Sequence, residues 1–277
     1  IDSSLPDISN SLDKHTNILI KAETGAGKTT RLPPYLINRV SGKILVLEPR
    51  RLAAKLSAKR CAETLNEDIG NRVGHHIRFD KRVGKQTELL FITEGLFLPY
   101  LKEDPKLNDH TVVILDEFHE RSLHTDVALT LIKKLQSTTR PDLKLIVMSA
   151  TLETEKLEKY LESPQVFNIR GKTYPLEIEY KNAKDDEAVL QMLKDPRCTQ
   201  NILVFLSGMG AIKNLSQKLE GKIPPEMEVV PLHSSLSKKK QGRAYEGDKR
   251  KIILSTNIAE TSLTLPNITG VIDLGNE

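Results

Sequence analysis

A glycine-rich stretch after a short apolar segment constrains the fold of this chain most. Residues 18–20 are Ile-Leu-Ile, which predicts a buried strand, and the sequence TGAGKTT of residues 24–30 then leads into a helix. Glycine lets backbone N–H groups point inward at an anion, the start of the helix adds the positive end of its dipole, and Lys28 adds a charge. The stretch therefore predicts a phosphate-binding loop between a strand and a helix.

The residues of this loop are individual candidates for nucleotide binding. They are Thr24, Gly25, Ala26, Gly27, Lys28, Thr29 and Thr30. The hydroxyl of Thr29 is expected on the Mg²⁺ that bridges the phosphates of a nucleotide. The pattern GxxxxGK[ST] has glycine at the position where this chain has Ala22. The loop alone therefore also fits a chance glycine turn before a helix.

Composition sets wide bounds on function. The 277 residues suffice for two domains, each with its own core. Lys and Arg number 41 against 37 Asp and Glu, and the net charge of +4 permits a polyanionic partner without requiring one. Cys61 and Cys198 show no paired spacing and form no metal-ligand pattern with the seven histidines, which fits a reducing cytoplasm.

The apolar segments and the first residue add two expectations. No apolar run approaches the length of a membrane span, and no charged-then-apolar leader is visible, so we expect no membrane association. The chain opens on Ile1 rather than methionine, which indicates a fragment of a longer protein.

Apolar strands alternate with helices over residues 1–171. Further strands are predicted at residues 44–47, 89–92, 112–115 and 145–148. Helical spacing is seen in the set Leu52, Leu56, Ala58, Ala62 and Leu65 and in the set Leu123, Val127, Leu131 and Leu135. This alternation predicts a parallel sheet covered on both faces. Polar motifs follow the strands, and open α/β sheets bind ligands at the carboxyl ends of their strands.

A second strand and helix series begins near residue 172. Its predicted strands are 202–206, 229–230, 252–254 and 271–273, and its helix carries Ile212, Leu215 and Leu219 on one face. The predicted fold is therefore α/β with two domains, residues 1–171 and a smaller unit of residues 172–277.

Two adjacent carboxylates follow the strand at residues 112–115. Downstream of a phosphate-binding loop, Asp116 can hold Mg²⁺ through water, and Glu117 can orient or deprotonate the attacking water. Both carboxylates, together with Thr29, are candidates for the Mg²⁺ site. Taken alone, such a pair is more often a surface pair, and His119 would be an ordinary solvated histidine. The position of the pair in the strand series favours the functional interpretation.

Several motifs together resemble a known family. The segments AETGAGKTT (residues 22–30), EPRRLAA (48–54), TEG (93–95), DEFHER (116–121), SAT (149–151) and STNIAETS (255–262) occur in this order. The set resembles superfamily 2 helicases of the DEAH/RHA group, and DEFH in place of DEAH is similar to the bacterial HrpB-type helicases. The resemblance implies two RecA-like (P-loop NTPase) domains that bind ATP and Mg²⁺ and act on single-stranded RNA.

The resemblance also implies roles for single residues. Contacts to the nucleic-acid backbone fall on Arg50, Arg51, Arg78, Thr93, Gly95, Ser207, Ser234, Ser235, Thr256 and Asn257. Ser149 and Thr151 match the motif that links hydrolysis to domain movement, and His119 completes the carboxylate motif. Arg51 could instead pair with an acidic side chain.

Nucleotide contacts outside the loop are implied as well. Arg60 and Tyr245 match residues that sandwich the nucleotide base, and Asp273 is a further candidate for nucleotide binding. A solvated helix face is the alternative for Arg60.

One motif of the family lies beyond this sequence. It has the form QRxGRxGR, follows the strand that corresponds to residues 270–273, and its arginines reach the γ-phosphate. Because the sequence ends at Glu277, the resemblance predicts that residues 1–277 alone hydrolyse ATP far more slowly than the parent helicase.

Three other functions share part of this pattern. A nucleotide kinase would have the loop but no reason to carry the later motifs. A DNA translocase is harder to separate from an RNA helicase, because both contact mainly phosphates. A non-enzymatic ATP-binding scaffold is disfavoured, because Lys28, Asp116 and Glu117 are all present.

Overall fold

The computed structural model describes residues 1–23, 25–150, 155–169, 175–233, 235–256, 259 and 265–275. The chain divides into two compact units, Ile1–Tyr174 and Pro175–Glu277. Each is an α/β unit with a largely parallel sheet, which confirms the predicted fold class. The predicted boundary between residues 171 and 172 falls outside the described ranges and stays a prediction.

The first unit contains an eight-stranded sheet. Its strands are β1 (Asn17–Ala22), β2 (Lys43–Glu48), β3 (Val73–Ile77), β4 (Asp80–Arg82), β5 (Leu89–Thr93), β6 (His110–Leu115), β7 (Lys144–Ser149) and β8 (Gln165–Ile169). The strand order is β4-β3-β5-β2-β6-β7-β1-β8, and among the described residues only the β3–β4 pair is antiparallel. Strands β3, β4 and β8 are additions to the strands predicted from the sequence.

Helices connect these strands. They are α1 (Leu5–Lys14), α2 (Lys28–Leu36), α3 (Arg51–Thr64), α4 (Phe97–Glu103), α5 (Leu123–Thr138) and α6 (Glu155–Tyr160), and 3₁₀ turns lie at Asp2–Ser4, Glu94–Leu96 and Phe118–Glu120. Within the parts of the chain that the structure describes, no helix combines the length and apolarity needed to cross a bilayer.

The central strands are buried on both faces, as the near-continuous apolar runs predicted. Ile18 and Ile20 of β1 join one hydrophobic cluster, and Leu19 joins the cluster on the opposite face. In β2, Ile44 and Leu45 divide in the same way. Successive side chains of a strand point to opposite faces, so helices must cover both sides of this sheet.

The buried face of α3 agrees with the predicted set in part. The helix buries Ala53, Ala54, Ala58, Cys61 and Ala62, whereas Leu52, Leu56 and Leu65 are only half-buried. The buried residues are small, so α3 can lie close to the sheet and to α2. The predicted set was right at Ala58 and Ala62, and its three leucines lie at the margin of this stripe.

The buried face of α5 also agrees with the predicted set only in part, because Leu131 and Leu135 pack half-buried against the core at the edge of the buried stripe. Thr125, Ala128, Leu129 and Ile132 are its buried residues, while Leu123 is 78% exposed. Residues spaced by four advance about 40° around the helix at each step, so the series from Leu123 drifts off one face. The true stripe combines spacings of three and four.

The second unit has a four-stranded parallel sheet. Its strands are β9 (Asn201–Phe205), β10 (Met227–Leu232), β11 (Arg250–Ser255) and β12 (Ile268–Asp273), and its helices are α7 (Asp185–Lys194), α8 (Met209–Leu219) and α9 (Lys238–Gly242). The strand order is β10-β11-β9-β12. Ile212, Leu215 and Leu219 of α8 are buried in the core, as predicted.

Candidate active site

The sheet order of the first unit brings the motifs to one edge. The glycine-rich loop follows β1, residue 149 ends its neighbour β7, and the two carboxylates follow β6, the next strand. The motif of residues 48–54 begins at the end of β2, residues 93–95 lie at the end of β5, and Arg78 follows β3. Because these strands are parallel, all of these segments lie at the carboxyl edge of the sheet.

The glycine-rich loop has the backbone that its sequence predicts. Gly25 and Gly27 have φ angles of 81° and 78°, in the left-handed region that favours glycine. A Cβ atom on Gly25 would meet no other atom within 4 Å, so the backbone angle and not crowding favours glycine there. Helix α2 begins directly after the loop, at Lys28. The predicted contact at Thr24 lies outside the described residues.

Lys28 and Glu117 form a buried ion pair. The Lys28 Nζ atom lies 3.1 Å from Glu117 Oε1, and both side chains are almost fully buried. A buried charge of this kind is tolerated only with a partner of opposite charge. The pair therefore joins the predicted phosphate-binding cation to the predicted catalytic carboxylate.

The neighbouring residues Thr29 and Asp116 form a second contact. The Thr29 hydroxyl donates a short hydrogen bond to Asp116 Oδ2, and the Glu117 N–H donates to Asp116 Oδ1 at 2.7 Å. Burial, followed by the nearby charge of Glu117, raises the pKa of Asp116 to about 6. Of the three residues predicted at the Mg²⁺ site, Thr29 and Asp116 are thus in direct side-chain contact, and Glu117 contacts Asp116 through its backbone N–H.

Glu117 has a strained backbone and one unpaired oxygen. Its φ angle of 46° lies in the left-handed region, which costs a non-glycine residue about 1–3 kcal/mol. Its Oε2 atom is buried and accepts no hydrogen bond from any described residue. Such an oxygen can accept a proton from a water molecule that reaches it.

His119 links the carboxylate motif to the end of β7. Its Nδ1 atom accepts the N–H of Ala150 at 3.2 Å and lies 3.4 Å from Glu117 Oε2. Because Nδ1 acts as an acceptor, it carries no proton to donate to Glu117. Ser149, directly before Ala150, is buried, and the predicted role of Thr151 falls outside the described residues.

Glu48 is a buried carboxyl group that the sequence interpretation missed. It ends β2, and burial, followed by the charges of Asp116 and Glu117, holds its pKa well above the ordinary value. Its Oε1 atom has no hydrogen-bond partner among the described residues. The sequence could have indicated this residue, because carboxylates that end two neighbouring parallel strands lie side by side.

The predicted backbone contacts of the first unit lie on the β2, β5 and β3 side of the edge. Arg50 is partly exposed before α3, and its Nε atom donates to Glu120 Oε2 at 3.1 Å. Arg51 and Arg78 are exposed, Thr93 is half-buried, and Gly95 is exposed. The structure thus places all five residues where a polyanion could reach them.

In the second unit, the candidate contacts to nucleic acid lie at the ends of three adjacent strands. Ser207, Ser235 and Thr256 follow β9, β10 and β11, which are neighbours in the sheet. Ser207 and Ser235 are exposed, and Thr256 is half-buried. Ser234 and Asn257 lie outside the described residues.

The three remaining candidates for nucleotide binding differ in how exposed they are. Arg60 is exposed on α3 and lies 3.2 Å from Glu63, which matches its solvated alternative. Tyr245 packs against the hydrophobic cluster that contains Leu203, and burial raises the pKa of its hydroxyl. Asp273 is exposed at the end of β12. The nucleotide roles of these three residues stay predictions.

The donor set suits a metal ion that is bound chiefly through a nucleotide. In the described part of the chain, no group of three or more His, Cys, Asp or Glu residues could hold a metal ion. Mg²⁺ commonly takes one or two carboxylates and completes its shell with phosphates and water. Thr29 and Asp116, which contact each other beside the loop, fit this mode of binding.

Family models match both units. Residues 4–160 match the model described as DEAD/DEAH box helicase, and residues 184–277 match the model described as helicase conserved C-terminal domain.

Curated relatives match nearly the whole chain. It is 40% identical over 286 residues to the ATP-dependent RNA helicase HrpB of Escherichia coli (strain K12), which covers 99% of this chain and 35% of that protein. It is 36% identical to the ATP-dependent RNA helicase HrpA of the same organism, with coverage of 97% and 22%. The chain therefore spans between 22% and 35% of the length of these relatives.

Solved structures are similar as well. The crystal structure of Escherichia coli DEAH/RHA helicase HrpB matches with a TM-score of 0.85 at 40% identity, over 98% of this chain and 36% of that one. A crystal structure of E. coli DExH-box NTPase HrpB matches with a TM-score of 0.75 at 40% identity, over 98% of this chain and 35% of that one.

Proposed function

Because this chain belongs to the DEAD/DEAH box helicases, we propose that it hydrolyses ATP with Mg²⁺ in order to move along single-stranded RNA and unwind duplexes. One observation carries the proposal. Two consecutive loop residues, Lys28 and Thr29, contact two consecutive residues after β6, Glu117 and Asp116. This double contact places a phosphate-binding cation, a metal-associated pair and a candidate base together.

The residues of the first unit have separate tasks in this mechanism. Lys28 and the loop amides bind the phosphates, while Thr29 and Asp116 would hold Mg²⁺. The metal, when bound, neutralises charge on the phosphate oxygens. Glu117 orients the attacking water and accepts its proton through the unpaired Oε2. His119, through Ala150, connects this carboxylate segment to the end of β7.

RNA is the proposed polynucleotide. HrpB and HrpA of Escherichia coli are named RNA helicases, and the candidate contacts here are guanidinium and hydroxyl groups. Such groups bind phosphate oxygens and carry little sequence information, so we expect little sequence preference. The same chemistry supports the second candidate, a translocase that acts on DNA.

Domain boundaries and location complete the proposal. We infer a first domain of residues 1–171 and a second of residues 172–277. We also infer a cytoplasmic location, which is supported by Cys61 and Cys198, both buried free thiols.

ATPase measurements on the full-length protein test this function. Single-stranded RNA, single-stranded DNA of the same length and no polynucleotide would be compared with Mg²⁺-ATP. We expect RNA to raise the rate most. Equal stimulation by DNA would favour the translocase, and a protein without ATPase activity under all three conditions would refute both.

A further inference from the structure

Glu94 is a buried carboxylate that none of the assigned roles explains. It is 6% exposed and begins the 3₁₀ turn Glu94–Leu96. Its Oε2 atom accepts a hydrogen bond from Ser122 Oγ at 2.5 Å, and its Oε1 atom accepts one from Thr125 Oγ1 at 2.5 Å. Both oxygens are therefore satisfied by hydroxyl groups at the start of α5.

Capping of α5 does not by itself require this carboxylate. Ser122 is already the N-cap residue, because its Oγ atom accepts the N–H of Thr125 at 3.0 Å. Asp126 already places a negative charge in the first turn of the helix. A buried carboxylate carries a large desolvation cost, so its two hydrogen bonds serve best to fix one element against another.

Glu94 joins a segment that is proposed to contact the polynucleotide to a segment that is proposed to carry out catalysis. On one side, Thr93 and Gly95 flank Glu94 and are candidate backbone contacts. On the other side, Ser122 follows Glu117 by five residues, through the 3₁₀ turn Phe118–Glu120. This clamp, formed by Glu94, Ser122 and Thr125, is a direct link from the polynucleotide segment to the catalytic segment.

We propose that Glu94 is a positioning residue that couples polynucleotide contact at residues 93–95 to the catalytic segment at residues 116–120. The proposal rests on the proposed function. Glu94 is buried and both of its oxygens are occupied by Ser122 and Thr125, so it acts through these two residues. Its clamp transmits displacement of either segment to the other, because short charge-assisted hydrogen bonds in a buried site resist being broken.

The first test separates coupling from stability. In the full-length protein, Glu94→Ala should lower the RNA-stimulated kcat about tenfold, since it removes two charge-assisted hydrogen bonds, and should leave the rate without RNA largely intact. Glu94→Gln should restore most of the stimulation, because its amide can accept from one hydroxyl and donate to the other. Equal RNA stimulation in Glu94→Ala and wild type would overturn the proposal.

Asp104→Ala provides a matched control in the same unit. Asp104 accepts hydrogen bonds from the backbone N–H and side-chain amide of Asn108, near the amino end of β6 and far from the motif edge. This variant also loses local hydrogen bonds, so it should lower the melting temperature without changing RNA stimulation. If both variants lost stimulation in proportion to their melting temperatures, Glu94 would be structural only.

Hydrogen exchange tests the clamp without RNA. In wild type, binding of Mg²⁺ with a non-hydrolysable ATP analogue should change the protection of the amides at residues 93–96, and in Glu94→Ala it should not. Absence of the change in wild type would overturn the coupling. A wild type that shows this change but no RNA-stimulated ATPase would instead refute the proposed function.

Discussion

The guanidinium of Arg50 lies 3.1 Å from the carboxylate of Glu120. The predicted phosphate contact after β2 is therefore paired with a residue of the segment that also carries Glu117. The Arg50 side chain is about one-third exposed, so a polyanion can compete for it. Glu120 and an RNA phosphate would bind the same cation.

Replacement of Glu120 should strengthen binding of single-stranded RNA. Glu120→Gln removes the competing charge from Arg50, and we expect the Kd to fall a few-fold, consistent with the small energies of exposed ion pairs. Fluorescence anisotropy with a labelled oligonucleotide measures this change. Glu162→Gln, at a surface pair with Lys133, is the matched control and should leave the Kd unchanged.

The salt dependence of the same titration identifies the arginines involved. If Arg50 and Arg51 contact phosphates, removal of each should flatten the plot of log K against log salt concentration by roughly 0.7. An unchanged slope in the double alanine variant would show that neither arginine contacts the strand. In that case, stronger binding by Glu120→Gln would need another cause.

Substitutions of Glu117 and Lys28, the two residues of the buried ion pair, should impair different steps of ATP hydrolysis. Glu117→Gln should keep nucleotide affinity but lower kcat by ~10²–10⁴, the usual contribution of a positioned base. Lys28→Ala should instead weaken nucleotide binding, because it removes the charge in the loop. Isothermal titration with an ATP analogue and steady-state ATPase assays separate the two effects. A near-normal kcat in Glu117→Gln would contradict the role assigned to it.

His110 should make the first unit less stable in acid. Burial, followed by the charge of Lys43, lowers the pKa of His110 to about 4, whereas an unfolded histidine titrates near 6.5. As pH falls below 6.5 the unfolded chain takes up the proton first, so folding stability falls by about 2 kcal/mol between pH 7.5 and pH 5. Urea unfolding at the two pH values measures this loss.

A histidine variant isolates the contribution of His110. In His110→Asn, the part of the acid sensitivity due to this residue should disappear. The exposed His124 gives the matched variant His124→Asn, which should keep the sensitivity of wild type. Identical pH dependence in all three proteins would show that His110 does not cause the loss.

The buried stripe of α3 predicts opposite tolerance at two positions on the same helix. Ala58 is fully buried, so Ala58→Leu should destabilise the protein by about 1–3 kcal/mol through overpacking. Leu52 is half-buried, and Leu52→Ala should have a smaller effect. Thermal unfolding compares the two variants, and the reverse order would restore the leucine face as the buried one.

The parts of the site that the sequence predicted are those carried by short local patterns. Lys28, Thr29, Asp116 and Glu117 each follow an apolar strand, and parallel strands bring such residues to one edge. The clamp at Glu94 was not predicted, because it depends on how α5 lies against the turn after β5. Patterns in a single sequence do not determine how a helix is positioned against a turn.

The buried faces of the helices show the same limit of prediction from a single sequence. The sequence correctly placed Ile212, Leu215 and Leu219, whose spacing of three and four follows one stripe. On α5 it favoured large apolar residues, whereas packing buried Thr125 and Ala128. The size of a side chain alone does not decide which stripe of a helix faces a sheet.

The left-handed backbone at Glu117 is strained, and the buried ion pair with Lys28 opposes its relief. Glycine or asparagine adopts this conformation more readily than glutamate, but either substitution would leave the buried Lys28 ammonium without its partner, which costs more than the strain returns. A library selected only for thermal resistance should therefore change residues 28 and 117 together or not at all, and the paired changes should be inactive. Stabilised versions of this protein are best obtained from selections in which residue 117 is held constant.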